Sequence, residues 1–179
     1  GENLIKYIGA KLLKEAKGEI KFLSEKNEVD LVDRIDTTNK TSFKRISYTK
    51  AIEILEKAVK DKKVTFEESN IKWGMDLGTE HERYLSEVHS KGPIYVFDYP
   101  AEIKAFYMLL NKDEKTVSGF DLLVPGIGEL IGGSARENDY EKLIKKVGDN
   151  KELLEELKWY FDLRRFGMAA SAGYGLGFE

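Results

Sequence analysis

The stretch from Asp121 to Arg136 combines the pattern of a buried β-strand with charges and glycines that such a strand does not need. Residues 122–124 and 130–131 are apolar and predict buried strand. An unpaired Glu129 or Arg136 inside such a strand would carry a large desolvation cost. We therefore expect another group to compensate these two charges.

Two interpretations of this stretch remain open. Gly132 and Gly133 remove side-chain bulk beside the charges, which lets a backbone bend or a bound molecule come close. One interpretation is a buried Glu129–Arg136 ion pair with bulge glycines, since structural ion pairs also occur in cores. The other is a wall that binds a ligand. On one straight strand the two side chains would face opposite sides and lie roughly 23 Å apart, which favours the two ends of an elongated ligand.

Length and composition predict one globular domain with a real core. The chain has 179 residues, of which 41% are hydrophobic and 34% are charged. Cysteine is absent and only His81 and His89 carry imidazole, so we expect neither disulfides nor a zinc site. The formal net charge of −3 shows no excess that would indicate a nucleic-acid binder. The lysines at 57–63 and 142–146 fall in amphipathic patterns and are interpreted as solvated helix faces.

The sequence predicts no contact with a membrane. No apolar run approaches the length needed to cross a bilayer, and the first residues lack both the basic patch and the apolar segment of a signal peptide. We therefore expect a soluble cytoplasmic protein, and an organellar location stays open.

Periodicity predicts helices and strands along the whole chain. The first 70 residues predict a helix over 2–17 that Gly18 ends, a short helix and loop over 24–42, a strand over 43–48, and a helix capped by Thr49. Beyond them, Thr79 and Glu82 have capping-box spacing, which predicts a helix over 80–89. A strand over 93–100, a hairpin of 104–110 with 116–124 whose first arm is central in the sheet, and a long helix from 149 follow.

The last residues place a glycine at every second position. Gly173, Gly175 and Gly177 precede Glu179, and this spacing favours a strand that lies flat under a ligand. A floppy tail is the alternative, and the spacing argues against it.

Five segments in order resemble one protein family. Residues 73–85, 98–108, 121–137, 159–167 and 173–179 together resemble asparaginyl-tRNA synthetase, a class II aminoacyl-tRNA synthetase of the aspartate-like subgroup. The resemblance implies an α+β fold, with part of an antiparallel β-sheet flanked by helices. Residues 1–179 would be a fragment of the catalytic domain, in which 1–70 are mostly helical and 71–179 hold the sheet core and the start of motif 3.

The resemblance also implies the chemistry. Enzymes of this family use ATP and Mg²⁺ to convert asparagine into asparaginyl-adenylate, and then transfer the asparaginyl group to tRNA(Asn). Such phosphate chemistry depends on positioning and charge neutralisation. No side chain has to act as an obligatory general base, so the resemblance assigns no catalytic residue in that sense.

The resemblance assigns roles to residues by position. Arg136 would hold the amino-acid side chain, a task that suits the guanidinium fork. Glu129 would bind Mg²⁺ against the ATP phosphates, with Asp121 on the neighbouring strand. Further residues would line the site: Tyr99, Lys104, Glu80 and His81 at the amino-acid pocket, Gly132 and Gly133 at the ATP, and Gly173, Gly175, Gly177 and Glu179 at the adenine. Tyr107 is interpreted as a core aromatic residue.

Several departures from the family pattern qualify these expectations. The family's motifs 1 and 2 and the arginine that follows motif 3 do not occur, and residues 169–172 replace a proline–histidine pair by Ala-Ala-Ser-Ala. We therefore expect these residues alone to catalyse negligible asparagine-dependent pyrophosphate exchange and not to form the family's homodimer. A related asparagine synthetase and a non-catalytic binding paralogue remain alternatives. The distance from Asp121 to Glu129, one residue longer than in aspartate enzymes, favours asparagine without settling the specificity.

Overall fold

The structure is a computed structural model that describes residues 1–177. Helices occupy about half of the described chain, and five strands form one sheet. The helices are α1 (Glu2–Glu15), α2 (Lys17–Asn27), α3 (Leu31–Lys40), α4 (Tyr48–Lys60), α5 (Thr79–Arg83, continued by a π-helical turn over Tyr84–Ser90), α6 (Tyr140–Val147), α7 (Lys151–Glu156) and α8 (Lys158–Arg165). The strands are β1 (Lys44–Ser47), β2 (Ile94–Pro100), β3 (Thr116–Val124), β4 (Gly128–Ala135) and β5 (Ala172–Leu176).

The sheet is mixed, with the strands side by side in chain order. β1 pairs in parallel with β2, whereas β2, β3, β4 and β5 form successive antiparallel pairs. The predicted class, α+β with an antiparallel sheet flanked by helices, is confirmed for these four strands. No helix of the described residues is long and apolar enough to cross a bilayer.

The first 70 residues are mostly helical as predicted, with three corrections. The loop predicted in the later part of 24–42 is instead the helix α3. Gly18 does not end the helical region, because α2 begins at Lys17 after a break at Ala16, whose φ is −131°. Helix α4 is capped by Ser47, which accepts a hydrogen bond from the Lys50 amide at 3.2 Å, and not by Thr49. Gly18 was misleading because it lies at the start of α2 and not at the end of α1. Thr49 was misleading because the capping hydroxyl belongs to Ser47, two residues earlier.

The predicted hairpin of 104–110 with 116–124 forms only at its turn, where the Asn111 amide donates to the Thr116 carbonyl at 2.9 Å and the Ser118 amide donates to the Leu109 carbonyl at 2.8 Å. The first arm is not a strand: only Met108 and Leu110 form isolated bridges, to Arg136 and Val117 respectively. The segment crosses the ends of β3 and β4 and is sandwiched between the core and α8, where Phe106 packs against Phe161. Apolar contacts on both sides therefore produced the pattern of a central strand. The actual partners of β3 are β2 and β4.

The predicted long helix from residue 149 is divided in two. Asn150 caps α7 by accepting a hydrogen bond from the Leu153 amide at 3.1 Å, as the sequence indicates. The helix breaks at Leu157, and α8 then buries Phe161 and Arg164. The buried stripe is accordingly shorter than predicted and includes a charged residue.

The two faces of the sheet differ in what covers them. One face, here called the site face, packs Ile94, Val96 and Leu123 against α4 and the turn that follows α5. The opposite face buries Leu122 and Ile131 beside residues of the N-terminal helices. Helices therefore cover the site face at β1 and β2, and its polar part lies at β3, β4 and β5.

Candidate functional site

Two carboxylates converge over Gly132 on the site face. Asp121 on β3 pairs with Gly132 on β4, and its Oδ1 lies 3.4 Å from the point that a Cβ on Gly132 would occupy. The Oε1 atom of Glu129 lies against that same point. A side chain at position 132 would fill this space, so glycine keeps a gap between the two acids.

A β-bulge brings Glu129 to this face. Leu122 pairs with Ile131 but Leu123 pairs with Glu129, so Leu130 is an extra residue in β4. The extra residue reverses the alternation of side chains. The expectation that Glu129 and Arg136 face opposite sides of a straight strand is therefore wrong.

A second irregularity turns Tyr99 to the same face. The register of β2 shifts between Phe97 and Tyr99, and Asp98 between them has a left-handed φ of 57°. Tyr99 consequently pairs with Val117 and is 1% exposed. Its hydroxyl has no hydrogen-bond partner within residues 1–177. Burial, followed by the negative charge of Asp121, holds the pKa of Tyr99 well above its usual value, so the hydroxyl stays a donor.

Lys104 supplies a positive charge to this group. Its Nζ lies 2.7 Å from Asp121 Oδ2, and the two side chains are 17% and 8% exposed. The same ammonium lies 4.0 Å from the centroid of the Tyr99 ring. The structure thus brings together four of the predicted residues: Asp121, Glu129, Tyr99 and Lys104.

Glu82 also belongs to this cluster, although the sequence was interpreted mainly as making it a helix-capping residue. Its Oε2 accepts a hydrogen bond from the Glu129 amide at 3.1 Å, which holds the strand just before the bulge. Burial is the largest cause of the raised pKa of Glu82, and Glu129 and Asp121 raise it further. The pKa of Glu129 is also raised, by burial and then by Asp121. The spacing from Thr79 had explained Glu82 as a capping residue, which concealed this contact.

The predicted capping box is wrong. Helix α5 begins after Gly78, whose amide donates to Nδ1 of His81 at 3.1 Å. The Nε2 atom of His81 lies 3.1 Å from the Glu68 carbonyl, so a neutral imidazole satisfies both contacts. Glu80 accepts hydrogen bonds from the Glu67 and Glu68 amides. The polar atoms of both Glu80 and His81 are therefore engaged in joining α5 to the preceding loop.

Arg136 lies just beyond the end of β4 with its guanidinium available. Its backbone amide donates to the Ser171 carbonyl at 2.9 Å, and its guanidinium lies 4.6 Å from the centroid of the Tyr107 ring. No carboxylate of the described chain lies within salt-bridge distance of it. The buried Glu129–Arg136 ion pair is thus not what the structure contains.

A cleft opens beside Arg136. It has a volume of about 540 Å³, and its walls include Phe106, Tyr107, Tyr160 and Ser171. A second cavity, of about 590 Å³, lies between α1, α3 and the opposite face, and it contains none of the predicted site residues. The first cleft contains Arg136, and a third cavity of about 620 Å³ contains Ser134 and Gly173.

The terminal glycines form the floor of this region. Gly173 pairs with Ser134 and Gly175 with Gly132, which confirms the predicted strand up to Leu176. A Cβ on Gly133 would meet Tyr174 Cβ at 2.7 Å, so this glycine allows β4 and β5 to pack. Gly177 donates its amide to the Leu130 carbonyl at 2.9 Å. Glu179 lies outside the described residues.

A buried ionic network begins at Glu137, the residue that follows Arg136. Glu137 is 2% exposed, and its Oε2 lies 3.2 Å from Lys146 Nζ. Lys146 also donates to the Met108 carbonyl at 2.6 Å, and Arg164 Nε donates to the Glu137 carbonyl at 3.1 Å. The network ties β4, α6 and α8 to the segment that carries Tyr107.

The carboxylates fit a magnesium ion whose remaining ligands are water and phosphate oxygens. No group of three or more acidic or imidazole side chains in residues 1–177 could hold a metal ion on its own. Mg²⁺ in nucleotide sites is bound by one or two carboxylates together with water and substrate phosphates. Asp121 and Glu129, separated by the gap above Gly132, supply two such carboxylates.

Comparisons with known proteins show the family to which the chain belongs. The whole chain, residues 1–179, matches the profile of the family described as tRNA synthetases class II (D, K and N). The chain belongs to the class II tRNA synthetases. Among curated class II relatives, the asparagine–tRNA ligases of Ureaplasma urealyticum serovar 10 and Mycoplasma mycoides subsp. mycoides SC are 48% and 51% identical to it over 178 residues.

Solved class II structures share the fold. The asparaginyl-tRNA synthetase of Pyrococcus horikoshii in complex with asparaginyl-adenylate superposes with a TM-score of 0.81 at 38% identity, over 98% of this chain and 37% of that one. The Entamoeba histolytica enzyme in complex with asparaginyl-adenylate gives 0.77 at 25% identity, over 98% and 38%. The alignments with the two curated relatives include 99% of this chain but only 39% of the length of each relative.

Proposed function

We propose that the protein containing these residues is an asparagine–tRNA ligase, which activates asparagine with ATP and transfers it to tRNA(Asn). One observation carries the proposal: the guanidinium of Arg136, which has no carboxylate partner within residues 1–177, and the Asp121–Glu129 carboxylate pair share one glycine-floored face of the sheet. The identity of 48% to an asparagine–tRNA ligase over nearly the whole chain supports the same substrate.

Arg136 is the proposed ligand of the asparagine side chain. The carboxamide oxygen is an acceptor, and the guanidinium is an acceptor's natural partner because it carries only donors. Tyr107 stacks on the guanidinium and limits its orientations. We place the side chain of asparagine in the cleft that adjoins these two residues.

Asp121 and Glu129 are the proposed ligands of Mg²⁺. A bound magnesium ion would neutralise charge on the ATP phosphates and orient them. Gly132 keeps the space between the two carboxylates open, and Gly175, which pairs with Gly132, keeps the floor flat enough for nucleotide to lie on it. Gly133 instead faces Phe120 on the opposite side of the sheet. Tyr99 and Lys104 would border the same space.

The chemistry needs positioning more than proton transfer. In the first step a carboxylate oxygen of asparagine forms a bond to the α-phosphorus, and the bond to the bridging oxygen breaks to release pyrophosphate. In the second step a ribose hydroxyl at the end of the tRNA attacks the acyl carbon, and AMP leaves. Holding both reactants on one rigid sheet supplies much of the rate. We leave Glu80 and His81 out of the binding set because their polar atoms are already engaged.

The test is amino-acid-dependent ATP–pyrophosphate exchange by the whole protein that contains this chain. We expect exchange with asparagine and Mg²⁺, and at least tenfold less with aspartate. Exchange with aspartate alone would instead favour the asparagine synthetase alternative. Nucleotide and asparagine binding without any exchange would favour the non-catalytic paralogue.

A further inference from the structure

We propose that the ammonium group of Lys104 is a resident counter-cation of the Asp121–Glu129 carboxylate pair, and that a divalent cation must displace it to bind there. This inference deepens the proposed function, on which it rests for the presence of a divalent cation. It assigns Lys104 a positioning role distinct from that of a ligand for asparagine.

The first argument for this role is the geometry of the contact between Lys104 and Asp121. Lys104 Nζ contacts one oxygen of Asp121, Oδ2, at 2.7 Å. The other oxygen, Oδ1, faces the gap above Gly132 that Glu129 borders from the opposite side. The ammonium therefore occupies one side of a carboxylate whose other side is turned toward the second acid.

The second argument is the balance of charge between Lys104 and the neighbouring carboxylates. Three carboxylates cluster here, those of Glu82, Asp121 and Glu129, and within the described residues Lys104 is the one cation that forms an ion pair with any of them. Removing water from carboxylates is costly unless a positive charge compensates them. Lys104 provides that compensation, since its side chain and that of Asp121 are both largely buried.

The attachment of Lys104 allows it to move. It follows the short 3₁₀ turn Ala101–Ile103, and its ammonium is held by Asp121 and by the face of the Tyr99 ring. A divalent ion on Asp121 would repel an ammonium within a few ångströms. The flexible four-carbon stem lets the ammonium turn away from the ion and remain near any anion that accompanies it.

The proposal is tested by the affinity of the whole protein for Mn²⁺ alone, measured by calorimetry or by the electron paramagnetic resonance of free Mn²⁺ without nucleotide. Lys104→Met should bind Mn²⁺ on the order of tenfold more tightly, because a competing charge is removed at an effective dielectric constant of about 20. Lys104→Arg keeps the charge and should stay close to the wild type. Lys142→Met removes an exposed lysine on α6 and should leave the affinity unchanged.

An Mn²⁺ affinity of Lys104→Met equal to or weaker than that of the wild type would overturn the proposal. Because Lys104→Met could fail to fold, a second measurement uses the wild-type protein with ¹³C-methylated lysines, in which the Lys104 signal is assigned from Lys104→Arg. Titration with Mg²⁺ should shift the Lys104 signal and leave that of Lys142 in place. An unmoved Lys104 signal at saturating Mg²⁺ would equally contradict displacement.

The outcome is separable from the proposed function. Asparagine-dependent exchange with no gain in Mn²⁺ affinity on removing Lys104 would sink the inference alone. A gain in Mn²⁺ affinity on removing Lys104, in a protein that shows no asparagine-dependent exchange, would support the role of Lys104 and contradict the proposed ligase function.

Discussion

Gly173 lies directly beneath the guanidinium of Arg136: a Cβ built on Gly173 would stand 3.1 Å from Nη2. Gly173 has no left-handed φ, so the space above it, and not its backbone conformation, explains the absence of a side chain. The strand β5 therefore limits how closely the guanidinium of Arg136 can approach the sheet.

Gly173→Ala should impair asparagine activation through Arg136. The methyl group would push the guanidinium by a few tenths of an ångström or more, and misplacement of a binding group on this scale can lower kcat/KM by roughly ten- to a hundredfold. We expect the change mainly in KM for asparagine, measured by pyrophosphate exchange.

Gly175→Ala is the matched control on the same strand. A Cβ at this position meets no atom within 4 Å, so the protein should fold and keep Arg136 in place. If nucleotide lies on this floor, KM for ATP should rise while KM for asparagine changes little. Equal effects of the two variants on both substrates would contradict the assignment of Arg136 to the amino acid.

Glu82→Gln should stabilise the protein at neutral pH. The pKa of Glu82 is raised above the unfolded value, so the folded state binds more protons in that window and stability falls as pH rises through the folded pKa. The neighbours Glu129 and Asp121 raise the pKa and Lys104 lowers it. Glutamine removes the charge and keeps an acceptor for the Glu129 amide.

Thermal unfolding as a function of pH measures this effect. The midpoint for Glu82→Gln should exceed that of the wild type at pH 7–8, and the difference should vanish as pH is lowered below the ordinary pKa of a glutamate. A variant that is less stable at pH 8 than the wild type would show that the carboxylate itself stabilises the fold.

Lys146→Met should destabilise the protein by about 3–5 kcal/mol, because it leaves the buried Glu137 carboxylate without its cation. Lys145→Met is the control, since Lys145 is exposed on the same helix and forms no ion pair with a described residue. Its free energy of unfolding should stay within about 0.5 kcal/mol of the wild type. Similar small effects for both variants would refute the importance of the network.

Gly18→Ala should stabilise the protein by about 0.5–1 kcal/mol, because Gly18 lies in α2 and a Cβ there meets nothing within 4 Å. Gly9→Ala should have the opposite sign, since its Cβ would lie 2.6 Å from the side-chain amide of Asn39 and 3.0 Å from Ile35. Thermal unfolding of the two variants provides the comparison. A gain for Gly9→Ala would mean that α1 and α3 are packed less closely than the structure indicates.

Local patterns predicted much of the fold. The strand β2, with its β-branched and aromatic residues between prolines, and the cap of α7 at Asn150 both depend on neighbours in sequence. The segment 104–110 was mistaken for a strand because its apolar residues contact two different layers. Sequence periodicity reports that a residue is buried and does not report by which partner.

The arrangement of the site depended on register, which the sequence does not carry. Glu129 and Arg136 stood out as charges in an apolar run and the family resemblance assigned their roles and that of Asp121, but a straight strand would have placed Glu129 away from Arg136. The extra residue Leu130 and the left-handed Asp98 turn Glu129 and Tyr99 to the site face. Both irregularities arise from pairing with β3 and could not be read from β2 or β4 alone.

The most direct measurement of the central claim is a crystal structure of the whole protein with a non-hydrolysable analogue of asparaginyl-adenylate and Mg²⁺. We predict that the guanidinium of Arg136 donates to the carboxamide oxygen and that the phosphate lies with the metal ion beside Asp121 and Glu129, above Gly132. An analogue bound elsewhere, or bound on this face without a contact to Arg136, would contradict the account.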